Sequence, residues 1–305
     1  MLILPSLKKP TATSVIVVLT FFATSIFPLR VLGDAGSELK IGSWNIRRLS
    51  ASSRDNDELK KIAQVIHPMD CVAIMELHDD VVLGKLVVQL ETMGGTWRRI
   101  QTPAKVGNTS YSAEHYGFVY RSDKLKLRGL PQVLPESTLT IPNDPTPWKF
   151  DRQPYTVGFA TLDNLLDFRV IVVHVTFHGM PYQRAEVRAL KDYFTTVQNS
   201  RTTDDDVILC GDFNVNVGDE SLNDLLSASG MIDTTSSTPG TKIDTTNTYD
   251  HLLFQTNFVK EYTGTHGVEK FDETMFGNND PAASLACSDH RPIWVILKVP
   301  QQDDD

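Results

Sequence analysis

The chain has 305 residues, 41% of them hydrophobic and 22% charged, enough to bury the core of one large α/β domain or two small ones. Its 38 acids against 29 lysines and arginines give a formal charge of −9. That excludes tight nucleic-acid binding by counterion displacement alone, but leaves room for an enzyme that meets a phosphate through a bound cation. Three cysteines, Cys71, Cys210 and Cys287, exclude a disulfide framework in so long a chain, although one bridge with a thiol left over stays open. Cys71 and Cys210 lie in apolar runs and read as small buried hydrophobes.

The first 33 residues are built like an export signal. Lys8 and Lys9 precede an apolar stretch from Val15 to Leu29, and small residues follow at Gly33 to Gly36. Cleavage near Gly33 or Ala35 predicts a secreted or periplasmic protein with no membrane attachment. The alternative is an uncleaved anchor, since the run falls only a little short of spanning length. Cleavage removes Lys8, Lys9 and Arg30 and no acid, which takes the charge from −9 to −12. Residues 34–300 would then form one domain and 301–305, "QQDDD", an acidic tail.

Strand-like runs follow in order: 39–46, 71–77, 96–102, 115–121, 155–162, 168–177, 206–214, 249–254 and 291–299. Several are apolar on both faces, as central strands covered on each side require. Two helices are legible between them. "RDNDELKKIAQVIHP" sets Leu59, Ile62, Val65 and Ile66 on one stripe, with acids in its first turn and Pro68 as a stop. "PYQRAEVRALKDYFTTVQ" starts with Pro181 and spaces Ala189, Leu190, Tyr193, Phe194 and Val197 helically. Many strands, interspersed helices and no linker predict one α/β domain of two stacked sheets with helices outside.

Nearly every strong strand ends in a group suited to phosphate or metal chemistry: Asn45, Glu76, His174, Asp212 with Asn214, Asp250, and Asp289 with His290. Any one alone is explained by solvent at a strand end or by turn preference. Side chains two apart on a strand share a face, which predicts that Asp212 and Asn214 point the same way. In "HVTFH" the spacing of His174 and His178 suggests zinc, but on a strand it separates them by roughly 13 Å, too far to share an ion.

The segments "WNIR", "MELHD", "VVHVT", "GDFNVN", "YDHLLF" and "SDHRP" occur in this order between residues 44 and 292. Together they resemble the endonuclease/exonuclease/phosphatase superfamily, most nearly the deoxyribonuclease I family. The resemblance implies a four-layer α/β sandwich, two mixed sheets flanked by helices. It also implies a phosphoesterase using a divalent cation, usually Mg²⁺, with Mn²⁺ as substitute and Ca²⁺ in a structural role. Glu76, Asp289 and Asn45 offer hard oxygen ligands for that cation. His290 reads as the base for the attacking water with Asp250 as its orienting carboxylate, and Asp212 and Asn214 as holders of the water and a phosphate oxygen. His174 would protonate the leaving group.

By the same resemblance "NTSYSAEHYGFVYR" nominates Glu114 as the partner of His174 and Tyr111 as a nucleic-acid contact, with the spacing shifted by one residue. "KFDRQPYTVGF" nominates Arg152 for the phosphate backbone. His78 and His251 stand where deoxyribonuclease I carries arginines, and the family's disulfide has no cysteines here. The expectation is a monomeric, exported endonuclease that cuts DNA, leaving 5′-phosphate ends. The alternative is a relative acting on a phospholipid such as sphingomyelin or a phosphoinositide, which would need an aromatic hairpin or basic patch to reach a membrane.

Overall fold

The computed structural model describes residues 37–200, 206–238 and 240–302; the expected signal segment and the last three residues of the acidic tail lie outside these. In chain order the elements are β1 (Glu38–Leu49), α1 (Asn56–Ile66), β2 (Cys71–Leu77), α2 (Val82–Thr92), β3 (Trp97–Gln101) and β4 (His115–Arg121). Next come β5 (Leu125–Val133), β6 (Thr138–Ile141), β7 (Asp144–Lys149), β8 (Tyr155–Thr161), β9 (Asp167–His174) and α3 (Met180–Asn199). The remainder is β10 (Val207–Asp212), α4 (Glu220–Ser229), β11 (Ile232–Asp233), β12 (Asp250–Phe254), β13 (Tyr262–Val268), α5 (Phe271–Thr274), α6 (Asp280–Ala286) and β14 (Ile293–Lys298).

One six-stranded sheet has the order β13-β14-β1-β2-β4-β3, the other β11-β12-β10-β9-β8-β5, and β6 and β7 form a separate hairpin. Both sheets mix parallel with antiparallel pairs. Period-two alternation assigns the layers. In β2, Cys71, Ala73 and Met75 enter the core between the sheets, while Val72, Ile74 and Leu77 pack with Leu59, Ile62, Leu83 and Leu86 of α1 and α2. In β9, Val170 and Val172 face the other sheet, and Ile171 and Val173 pack with Val187, Leu190 and Phe194 of α3. Each such fully buried aliphatic or phenyl side chain contributes about 1.5–3 kcal/mol over leaving it in water. The result is the expected sandwich, helix–sheet–sheet–helix.

The two predicted helices form with the stripes read from sequence. Asp55 and Glu58 close a capping box at the start of α1, and Leu59, Ile62, Val65 and Ile66 are buried. Five strands without a clear apolar run escaped the sequence reading. β5 alternates exposed and half-buried residues as an edge strand does, β6 is short with exposed threonines, and β7 carries two prolines. β9 stops at His174 instead of running on to Phe177. The three cysteine thiols are free and buried.

Candidate active site

The same alternation that builds the inter-sheet core delivers the site. Val170 and Val172 lead to His174 on β9, Ile208 and Cys210 to Asp212 on β10, Leu39 and Ile41 to Asn45 on β1, and Phe254 and Leu252 back to Asp250 on β12. Asp212 pairs with His174 on one side and with Asp250 on the other. Three adjacent strands of one sheet therefore present an imidazole and two carboxylates in a row, about 4.8 Å apart. The other sheet supplies Asn45 and, just before β14, His290.

Asp212 is the hub. Its Oδ2 accepts from Asn45 Nδ2 at 3.0 Å and lies 3.7 Å from His174 Nε2 and 3.6 Å from His290 Nε2. Each imidazole is backed by its own carboxylate: Glu114 Oε1 is 3.0 Å from His174 Nδ1, and Asp250 Oδ2 is 2.8 Å from His290 Nδ1. Both Nδ1 atoms being occupied, the two Nε2 atoms are left to face one oxygen. All of these side chains are buried.

The loop before β14 is sewn to β1. Trp44 Nε1 donates to the His290 carbonyl at 2.7 Å, and Ser288 Oγ donates to the Asn45 carbonyl at 2.6 Å. Across the sheets, the His174 amide donates to Tyr116 Oη at 2.9 Å. Burial alone would lower both imidazoles, but Glu114 raises His174, and Asp250 with Asp212 pushes His290 up to about 9. Glu114 is held below the ordinary carboxylate range despite its burial, by His174 and Arg152. Asp250 and Asp212 thus favour the protonated form of the His290 ring.

Glu76 and Arg48, side by side where β1 and β2 slip register, both have left-handed backbones (φ +59° and +49°), a strain that non-glycine residues seldom carry. The Arg48 amide donates to Glu76 Oε2 at 2.9 Å. Asp289 is engaged by Lys242 Nζ at 2.7 Å, a cation the sequence reading missed. Burial would raise Asp289, but His290 and Lys242 lower it. Among the described residues, the one acid, histidine or cysteine triplet with ligand atoms within 4.8 Å of one another is Asp212, Asp250 and His290; Glu76 and Asp289 stand outside it. Of the residues expected to hold a cation, Asn45 keeps its Oδ1 buried without a hydrogen-bond partner, a hard oxygen free to act as a ligand.

Three expectations need correction. Asn214 does not continue the strand face of Asp212, because β10 ends at Asp212 and Asn214 is left-handed (φ +52°); its Nδ2 donates to the Val175 carbonyl and its amide to Asp212 Oδ1. Arg152 is turned inward rather than toward a phosphate backbone. Its Nε donates to the Ser112 carbonyl at 2.8 Å and sits 3.2 Å from Glu114 Oε2, drawn in by that buried carboxylate. His178 is kept from His174 by a different cause than strand geometry, since it lies beyond the strand, 5.1 Å from the Trp148 ring. Tyr111, by contrast, is 88% exposed.

Glu186 of α3 was missed altogether. It is fully buried, accepting from Trp148 Nε1 at 2.8 Å and the Asp151 amide at 2.7 Å on Oε1, and from the Thr176 amide at 2.8 Å on Oε2. It ties the Arg152 segment to the turn after His174. Burial pushes its carboxyl up to about 7 against those three donors. Between its ordinary value and about 7 the unfolded chain ionises it and the folded one does not, so stability falls as pH rises, by about 3 kcal/mol in all. Thermal unfolding at pH 5 and pH 8 should show Glu186→Gln losing less stability than wild type on that rise; a constant difference between them would contradict this.

The profile of the endonuclease/exonuclease/phosphatase family matches residues 42–290. No curated protein matches the chain by sequence. Among solved structures, an endonuclease/exonuclease/phosphatase from Bacteroides vulgatus is 17% identical with a TM-score of 0.55, covering 86% of this chain and 99% of its own. The human Nocturnin catalytic domain with bound sulfate is 14% identical with a TM-score of 0.54, covering 86% and 94%. A mannosyl-6-phosphatase from Bacteroides thetaiotaomicron is 17% identical with a TM-score of 0.53, covering 84% and 98%. At these identities the likeness is one of fold.

Proposed function

The chain belongs to the endonuclease/exonuclease/phosphatase family, and we propose that within it this protein is an exported, divalent-cation-dependent endonuclease hydrolysing DNA phosphodiesters. The observation that carries this reading is Asp212 Oδ2 between two imidazoles, each backed by a carboxylate. Phosphodiester hydrolysis needs a proton taken from water on one side of phosphorus and one given to the leaving oxygen on the other. Two Nε2 atoms facing one small space support those two transfers.

In this mechanism His290 Nε2 takes the proton of the attacking water, and His174 Nε2 protonates the leaving oxygen. Glu114 and Asp250 hold the tautomers and stabilise the charged rings. Asn45 and Asp212 orient the water. A Mg²⁺ held by Glu76 and Asn45, with Asp289, would neutralise the phosphate and offset the carboxylates that favour the protonated form of His290. Arg152 acts through Glu114, as a positioning residue. Export rests on the N-terminal signal pattern and is part of the proposal, as is action as a monomer.

DNA is favoured over lipid by two features. Tyr111 stands exposed beside the segment that carries Glu114. The β6–β7 hairpin carries no aromatic at its tip: Ile141 is buried, Pro142 and Asn143 form the turn, and Trp148 is bonded back to Glu186. Such a hairpin has nothing to insert into a bilayer. Incubation with supercoiled plasmid and with sphingomyelin vesicles, both in Mg²⁺, should give nicked plasmid and intact lipid; the reverse outcome selects the phospholipase-like alternative.

A further inference from the structure

A single exposed phenylalanine is ordinary on a protein surface, but Phe177 has an unusual mount. It is 76% exposed and lies three residues beyond His174. Both neighbours are fixed. On one side the Val175 amide donates to the Asp212 carbonyl and the Thr176 amide to Glu186 Oε2, both at 2.8 Å. On the other, the His178 ring lies 5.1 Å from Trp148 and edge-on to Tyr182 at 4.6 Å. The chain therefore holds this ring in water and denies it the core. A second exposed ring, Tyr111, precedes Ser112, whose carbonyl accepts from the same Arg152 guanidinium that donates to the His174 carbonyl.

We propose that Phe177 is a stacking platform for an unpaired nucleobase next to the scissile phosphate, so that the strand offered to His174 is single or locally opened. The inference rests on the nuclease reading above and names its substrate class. Two physical considerations favour a base. Every nucleobase has a π-face, and stacking on an aromatic is a principal source of affinity for single strands. A chain of net charge −9, or −12 without the signal segment, gains little from Lys and Arg contacts to phosphate, which leaves base stacking beside the bound cation as a source of affinity.

The test compares KM for a single-stranded oligodeoxynucleotide with KM for an oligonucleotide of the same length carrying abasic sites around the cut. In wild type the abasic substrate should have a KM roughly tenfold higher, a modest stacking contribution. Phe177→Ala should bring the ratio toward one, and Phe177→Trp should keep it. A ratio that Phe177→Ala leaves unchanged, or a wild-type ratio near one, overturns the proposal while leaving the nuclease standing. Wild-type protein that cuts neither oligonucleotide nor plasmid removes the nuclease reading and this inference with it. If Phe177→Ala instead releases the protein from sphingomyelin vesicles, the ring serves a membrane and the base-stacking role is wrong.

Discussion

His174→Ala is expected to lower kcat for plasmid nicking by about 10²- to 10⁴-fold, the usual contribution of a positioned acid or base, while the protein stays folded. The second half of that expectation is specific to this structure. Truncation leaves Glu114 with Arg152 at 3.2 Å and with the Glu76 amide as donor, so no buried carboxylate is orphaned. The bonds that anchor the strand end, from the His174 amide to Tyr116 Oη and from Arg152 to the His174 carbonyl, use only backbone atoms of residue 174. Kinetic loss with an unchanged melting temperature would separate chemistry from folding. A variant that nicks at the wild-type rate would contradict the role.

Gly211→Ala should destabilise by about 3 kcal/mol or more and take the chemistry with it. Gly211 has φ +143°, and a Cβ there would lie 1.9 Å from the Val173 carbonyl oxygen on the paired strand β9. Backbone cannot yield as a side chain can, so β9 and β10 must separate at the point that sets Asp212 against His174. For a domain of this size the melting temperature should drop by about 10 °C. Gly218→Ala is the control, being also left-handed (φ +85°) but with nothing within 4 Å of its Cβ; it should cost only about 1 kcal/mol. Equal effects of the two substitutions would refute the steric account.

The fold was largely legible because its central strands are apolar on both faces, and the site because each of those strands ends in chemistry. Parity along the strand even specifies the layer: Asn45 follows Ile41, His174 follows Val172, and Asp212 follows Cys210, all by even steps onto the inter-sheet side. Parity stops applying at Asp212, where β10 ends and Asn214 turns left-handed while its amide still donates to Asp212 Oδ1. Glu186, Lys242 and the inward turn of Arg152 were hidden for another reason. Their partners, Thr176 and Asp151, Asp289, and Glu114, are set by long-range packing that leaves no local spacing to read. The edge strands β5, β6 and β7 lack the apolar run that marks a buried strand.

The central claim is that Asn45, Glu76, Asp212 and two carboxylate-backed imidazoles form one cation-assisted hydrolytic centre. It is tested most directly by following relaxation of supercoiled plasmid by the purified protein in Mg²⁺ and again in excess chelator. The account predicts nicking that depends on the cation and returns when Mg²⁺ is restored. Undiminished nicking in chelator, or none in Mg²⁺, would contradict it.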